Sequence, residues 1–190
     1  MLVPVRRIQL RLDHVPIMFT PMTATPFALD APLGQRRAII RRDAEGVEMV
    51  EAAWGLRPAP NTDRPFTVIR AEGRTIPTHR CLVPASEFRL QSRGRTYSFS
   101  LADGDWFYFA GIWRPAKPDW PEGYAILTVE ANEDVAAYHD RQMVVLRREQ
   151  RLDWLDARVS EADVLKPLPT GSFRVKALRP AHEFQKALAL

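Results

Sequence analysis

Apolar residues in this chain fall mainly into short runs and period-two alternations, the spacing of β-strands, and only a few stretches repeat at helical spacing. Residues 3–12 alternate imperfectly, with Ile8, Leu10 and Leu12 on one face and Arg7, Gln9 and Arg11 on the other. Residues 14–34 carry Pro16, Pro21, Pro26 and Pro32 and read as irregular. Residues 37–42 (RAIIRR) and 47–54 (VEMVEAAW) flank a turn at 43–46 and predict a β-hairpin. A loop with Pro58, Pro60 and Pro65 leads to a predicted strand at 66–72 (FTVIRAE). The clean alternation at 97–101 (YSFSL), followed by the turn ADGD at 102–105, predicts a hairpin between 95–101 and the next strand.

That next strand is the centre of the pattern. Trp106, Phe107, Tyr108, Phe109, Ile112 and Trp113 form an aromatic and branched run, broken only by Ala110-Gly111. Residues 124–129 (YAILTV) give a second strand of the same kind, and both are expected to be mostly buried. Asn132 then reads as a helix N-cap, with Glu133 and Asp134 in the first turn, where the helix dipole favours negative charge. Ala131, Val135 and Tyr138 share one face of that helix, which ends at His139-Asp140-Arg141 ahead of a short apolar strand at 144–146. A helix over 147–155 with Leu152 and Leu155 inward, a short helix within 158–165 and a strand at 173–178 with Arg174 and Lys176 outward complete the chain. Together these elements predict an α+β fold that is rich in strands.

Composition narrows the class. At 190 residues, with 46% hydrophobic and 26% charged positions, the chain fits one domain spanning 1–190 with a real core. Net charge of +4 is compatible with nucleic acid. The lone cysteine, Cys81, excludes an intramolecular disulfide and fits a cytoplasmic protein. No run approaches the roughly 18 apolar residues of a membrane span, and charges come too early at the N-terminus for a secretory leader. The other histidines (His14, His79 and His182) are scattered, so neither a metal nor a cofactor is expected.

The polar cluster His139-Asp140-Arg141, wedged between a helix and a buried strand, is out of place for simple packing and is the first functional candidate. The run around it resembles the SRAP family, the SOS-response-associated peptidases or abasic-site processing proteins. The family pattern is a strand ending FAG-[LI]-W, a TILTT-x-AN strand and turn, and a helix ending HDRMPV. Here the matches are Phe109-Ala110-Gly111-Ile112-Trp113, then Ile126-Leu127-Thr128 with Ala131-Asn132, then His139-Asp140-Arg141. It is the three together, in order and at family-like spacing, that carry the resemblance. Trp54-Gly55-Leu56-Arg57-Pro58 is similar to the family's WGL-x-P element, and Arg80-Cys81-Leu82-Val83-Pro84 to its R-C-L-[IV]-P strand. The resemblance covers roughly residues 27–180, is strongest over 54–146, and implies one β-rich domain of twisted antiparallel sheets or a partial barrel with a few short helices.

What the resemblance implies about function is covalent capture of abasic sites in single-stranded DNA. The family nucleophile is a cysteine directly after the initiator methionine, whose amine and thiol trap the sugar aldehyde as a thiazolidine, assisted by an asparagine, a glutamate and the histidine of the HDR element. This chain departs from that pattern. Leu2 follows Met1, the asparagine position is Val68, and the glutamate position, six residues after Pro84, is Leu90, with Glu87 nearby at the wrong phase. Of the four positions His139 alone remains, so the stable crosslink is expected to be absent. Cys81 reads as a buried packing residue. Binding chemistry is retained: Arg70 and Arg141 suit phosphate oxygens, Thr128 can donate a hydroxyl to a phosphate, and Trp54 is either a core tryptophan or a base-stacking residue. An alternative to phosphate binding is an ion pair, Arg70 with Glu72 and Arg141 with Asp140 or Glu130. Three functions follow: a non-crosslinking binder of single-stranded or abasic DNA; a residual Schiff-base lyase using the N-terminal amine with His139 assisting; and a scaffold repurposed for a protein or small molecule.

Overall fold

The computed structural model describes residues 32–43, 46–60 and 62–178, with the backbone of 8–9 and 27–28. The expectations for 3–12 and 14–34 lie largely outside the described residues. Period-two patterning produces β1 (Ile8–Gln9), β2 (Phe27–Ala28), β3 (Arg36–Arg42), β4 (Val47–Trp54), β5 (Val68–Arg70), β6 (Arg80–Ala85), β7 (Glu87–Ser92), β8 (Arg95–Leu101), β9 (Phe107–Arg114), β10 (Gly123–Glu130), β11 (Arg141–Met143), β12 (Val145–Leu146) and β13 (Phe173–Ala177). Among the described residues three short α-helices accompany them, α1 (Glu133–Ala136), α2 (Arg151–Leu155) and α3 (Glu161–Val164), with a 3-10 turn at Arg148–Gln150 leading into α2.

Five of these strands close a ring. β4, β3, β6, β9 and β10 pair antiparallel in that order, and β10 returns to β4 in parallel through Gly123↔Ala53 and Tyr124↔Trp54. Direction alternates across antiparallel neighbours, so a ring of odd number must contain one parallel contact; this is it. β9 and β10 are buried on both faces. One face contributes Phe107, Phe109, Tyr124 and Ile126 to a cluster with Ile39, Trp54 and Cys81. The other places Tyr108, Ala110, Ala125 and Leu127 against Trp154, Leu155 and Val164 of α2 and α3. Each fully buried large apolar side chain contributes about 1.5–3 kcal/mol, which is why the most apolar runs occupy the shared centre.

A second, four-stranded sheet runs β13–β8–β7–β2 and packs on the first through Phe88, which stacks on Phe99 (4.9 Å between centroids) and meets Phe107, Phe109 and Phe173 edge-on. Here the structure corrects the expected hairpin between 95–101 and the aromatic strand. Both edges of β8 are taken, by β7 and β13, and residues 102–106 carry the chain from one sheet to the other. The real hairpin is β7–β8, turned by Arg93 and Gly94 with φ of 49° and 73°, the left-handed pair a tight two-residue hairpin requires.

The expected 37–42/47–54 hairpin forms as β3–β4, while 66–72 shortens to β5, which adds in parallel to β10. The apolar strand before residue 147 changes partner at Val144, with β11 on β10 and β12 on β9. Leu152 is only half-buried; Trp154 takes the inward position and donates its indole N–H to the Cys81 carbonyl (3.0 Å). The sheets are mostly antiparallel, as expected, with parallel contacts at β4–β10, β5–β10 and β2–β7.

Closure of the ring leaves no room at Gly123. A Cβ there would stand 2.5 Å from the Gly55 carbonyl oxygen and 3.3 Å from that of Ala53. Gly123→Ala is expected to destabilise the protein by about 2 kcal/mol and lower Tm by roughly 4–8 °C in a calorimetric scan. An unchanged Tm would mean that the β4–β10 contact is dispensable.

Candidate functional site

β10 positions the site. In its register Thr128 stands beside Arg70 of β5 on one edge and Met143 of β11 on the other. β7 adds Leu90 from below, and the segment between α1 and β11 adds His139. These residues, with Val68 and Arg141, line a cavity of about 390 Å3. The fold thus brings Arg70, Thr128, His139 and Arg141 together from separate stretches of sequence.

Local capping fixes the His139 segment. Asn132 caps α1 as expected, its side-chain oxygen accepting from the Val135 backbone N–H (3.2 Å), while its own backbone N–H donates to Gln142 Oε1 (2.7 Å). Asp134 accepts from the backbone N–H groups of Gly171 and Phe173, tying α1 to β13. The helix is a single turn, and the His139 N–H closes onto the Val135 carbonyl at 3.0 Å. His139 Nδ1 lies 2.9 Å from both the backbone nitrogen and the backbone oxygen of Arg141. The neutral ring accepts from the first and the protonated ring donates to the second, so either form keeps a partner.

The arginine pairings differ from those expected. Arg141 pairs with neither Asp140 nor Glu130. Its two terminal nitrogens bind both oxygens of Glu72 at 2.6 and 2.8 Å, and Nη2 also donates to the Thr128 carbonyl (2.7 Å) and hydroxyl (3.2 Å). The Arg141 hydrogen bonds hold the Glu72 carboxyl down at about 2. With Glu72 occupied, Arg70 has no carboxylate: its exposed guanidinium makes no hydrogen bond or ion pair among the described residues. Thr128 is buried; its hydroxyl donates to the Ile69 carbonyl (3.4 Å) and accepts from Arg141 Nη2 (3.2 Å), so it serves chiefly as the seat of Arg141. Two buried donors facing this region, Arg141 Nε and Gln142 Nε2, have no partner among the described residues.

Trp54 is not part of this cluster. It is 2% exposed and packs on Tyr124 at 5.2 Å, so of its two readings the core tryptophan is the one the geometry matches; its place at the end of β4 puts it on the inward-facing cluster. Cys81 is fully buried, and burial pushes its thiol far above the ordinary range. The positions where the resemblance places an asparagine and a glutamate, Val68 and Leu90, both line the cavity. Glu87 points to the other face of β7, held by Arg89 and Ser98. Gln142 and Met143 also line the cavity; the sequence offered no signal for them beyond adjacency to Arg141.

The Glu72–Arg141 pair gives a pH signature. A carboxylate with a lowered folded-state value stabilises the fold above its ordinary value of 4.5, and that contribution fades as pH falls toward 2. The urea midpoint of the wild type should exceed that of Glu72→Gln at pH 6, and the gap should narrow steadily from pH 4.5 downward. A gap independent of pH would rule out an ionised Glu72 as its source. Cys81 should resist a thiol reagent in native protein and react fully in denaturant; fast native labelling would contradict its burial.

Comparison with known proteins bears on the family and the fold. The chain is 29% identical over 160 residues to the abasic site processing protein YoaM of Bacillus subtilis (strain 168), covering 73% of this chain and 69% of that one. It is 27% identical over 151 residues to the abasic site processing protein YoqW of the same organism, covering 68% of this chain and 66% of that one, so the match spans about two thirds of these relatives. Among solved structures, a Bordetella bronchiseptica protein superposes with a TM-score of 0.65 at 22% identity, covering 84% of this chain and 92% of that one. A Bacteroides thetaiotaomicron protein gives 0.60 at 21% identity, covering 80% and 77%. The sequence model of the SOS response associated peptidase (SRAP) family matches residues 21–181, and by that match over most of its length this chain belongs to the SRAP family.

Proposed function

We propose that this chain is a DNA-damage-response protein that binds single-stranded DNA, abasic sites included, without forming a cysteine thiazolidine crosslink. The observation that carries the reading is the contrast between its two arginines. Arg141 is locked by Glu72 and shapes the cavity wall, while Arg70 stands exposed at the rim with its guanidinium unmatched among the described residues. A planar, permanently charged fork left without an acid suits a phosphate oxygen pair. The names of the relatives, abasic site processing proteins, support DNA with a missing base as one ligand.

The chemistry of the cavity supports binding over capture. Val68 and Leu90 stand where the family resemblance implies an amide and a carboxylate that would serve proton transfer to a ring-opened sugar, and the single cysteine is buried in the core. His139 places an imidazole in the wall, with the exposed Asp140 carboxylate 3.1 Å from its Nδ1, and among the described residues the other titratable groups lining the cavity are the two arginines. A cytoplasmic location, proposed on the lone reduced cysteine, suits a protein that works on exposed DNA. Among the described residues no helix is long and apolar enough to cross a membrane.

The test is incubation with single-stranded DNA carrying one abasic site, with and without borohydride, read on denaturing and native gels. Binding on the native gel with no covalent band in either lane is the expected outcome. A band without borohydride would overturn the loss of stable capture; a band only with borohydride would replace binding by Schiff-base chemistry on an amine. Arg70→Ala should weaken binding about tenfold and reduce the slope of log K against log salt by about 0.7, the value for one phosphate on a single strand.

A further inference from the structure

β5 separates two cavities. Side chains alternate across a strand, so Val68 and Arg70 face the cavity described above while Ile69 faces the other way. On that opposite side lies a larger cleft of about 810 Å3, walled by residues 56–58, 73–78, 114, 115, 117 and 120. Its floor is apolar, with Leu56, Ile76 and Ile112 nearly buried. Phe66 stands at one lip with 41% of its surface exposed. Trp120 forms another wall, its indole N–H buried and without a partner among the described residues.

The charged residues that line this cleft have one sign. Arg57, Arg74, Arg114 and Lys117 line it, and among the described residues no carboxylate does. Arg57 is compensated by Asp119 at 2.5 Å. Arg74 and Arg114 each spend one N–H on a backbone carbonyl, those of Arg70 (2.8 Å) and Trp113 (2.9 Å), and keep the rest of their forks. An apolar floor, an exposed aromatic ring, an unmet indole donor and a cationic rim describe a pocket for a flat ring carrying a phosphate. The volume suits one nucleotide unit, and the Arg74–Arg70 contact joins this rim to the first cavity.

We propose that this cleft is a second nucleotide site, taking the base and phosphate of a residue that flanks the nucleotide held beside Arg70. The strand crosses the β5 edge over the exposed Phe66 and Val68, and Arg74, Arg114 and Lys117 hold the flanking phosphates. Phe66 supplies the stacking face, which tolerates any base. This inference rests on the single-stranded DNA reading and extends its footprint across β5.

The experiment measures binding of fluorescein-labelled oligothymidylate of about 12 nucleotides by anisotropy across a salt series, for wild type, Arg70→Ala, Phe66→Ala and the double variant Arg114→Ala/Lys117→Ala. The substituted cations are exposed, and circular dichroism melting checks that each variant folds. The expected result is that the double variant binds at least about tenfold more weakly with a salt slope reduced by about 1.4, two phosphates at about 0.7 each. Phe66→Ala should lose about tenfold with the slope unchanged. If wild type and Arg70→Ala differ but the double variant and Phe66→Ala match wild type, the second site is wrong and the first reading stands. If wild type binds no single-stranded DNA, both fall. If an acidic peptide such as polyglutamate displaces the oligonucleotide at equal charge concentration, the cleft reads charge alone and the nucleotide assignment is overturned.

Discussion

β10 has two edges, and four other strands share them. β9 and β11 take successive stretches of one edge, and β4 and β5 take successive stretches of the other. The rest of the structure depends on this division of one backbone's hydrogen bonds. Its first half, with β4, closes a five-stranded ring, and its second half, with β5 and β11, carries the site. The change of partner is possible because β10 is buried on both faces from Gly123 to Val129, so every neighbour gains apolar contact wherever it pairs. A slip of one residue would turn Thr128 away from Arg70 and Arg141 and invert both faces at once.

The electrostatics of the site follow from a competition for one carboxylate. Glu72 sits two residues beyond Arg70, yet Arg141, distant in sequence, wins it by offering two parallel N–H groups from a half-buried position. A bidentate pair of this kind is stronger and more directional than a neighbouring point contact. The pair is exposed enough on the Glu72 side that its main consequence is geometric. It pins the Arg141 fork against Thr128 and leaves Arg70 without an acid among the described residues. The cluster therefore divides into a fixed cation that shapes the wall and an open one that faces solvent.

The cavity beside them is lined by apolar as well as polar groups. Val68 and Leu90 fill it with apolar side chains, while the buried donors Arg141 Nε and Gln142 Nε2 stay unmet among the described residues. A wall of donors and apolar surface favours ligands rich in acceptors, which is the character of phosphates and base carbonyls. Proton-transfer chemistry needs a base as well as donors, and His139 is the imidazole in that wall.

Much of the chain was legible from pattern alone. The β3–β4 hairpin, the doubly buried β9 and β10 and the Asn132 cap each rest on short-range rules, alternation and side-chain oxygen geometry, while the packing role of Cys81 was read from the family resemblance of its strand. Leu90 and Glu87 were also separable, because period two assigns them opposite faces of β7. What the sequence left open was pairing at a distance. The clean alternation of 95–101 predicts a strand but not its partner, and burial of Phe99 against Phe88 sent it to the second sheet. Trp54 carried the same letters whether it lay in the core or at the surface, and only its place at the ring closure put it beside Tyr124. The choice of Glu72 by Arg141 instead of Arg70, and the placing of Phe66 and Arg114 around one cleft, were likewise decided in three dimensions. Local residue order determined the elements and the candidate chemistry. Which groups meet was left to the tertiary structure, because a hydrogen-bond edge or a carboxylate can be used only once and the winner is set by the packing of the whole.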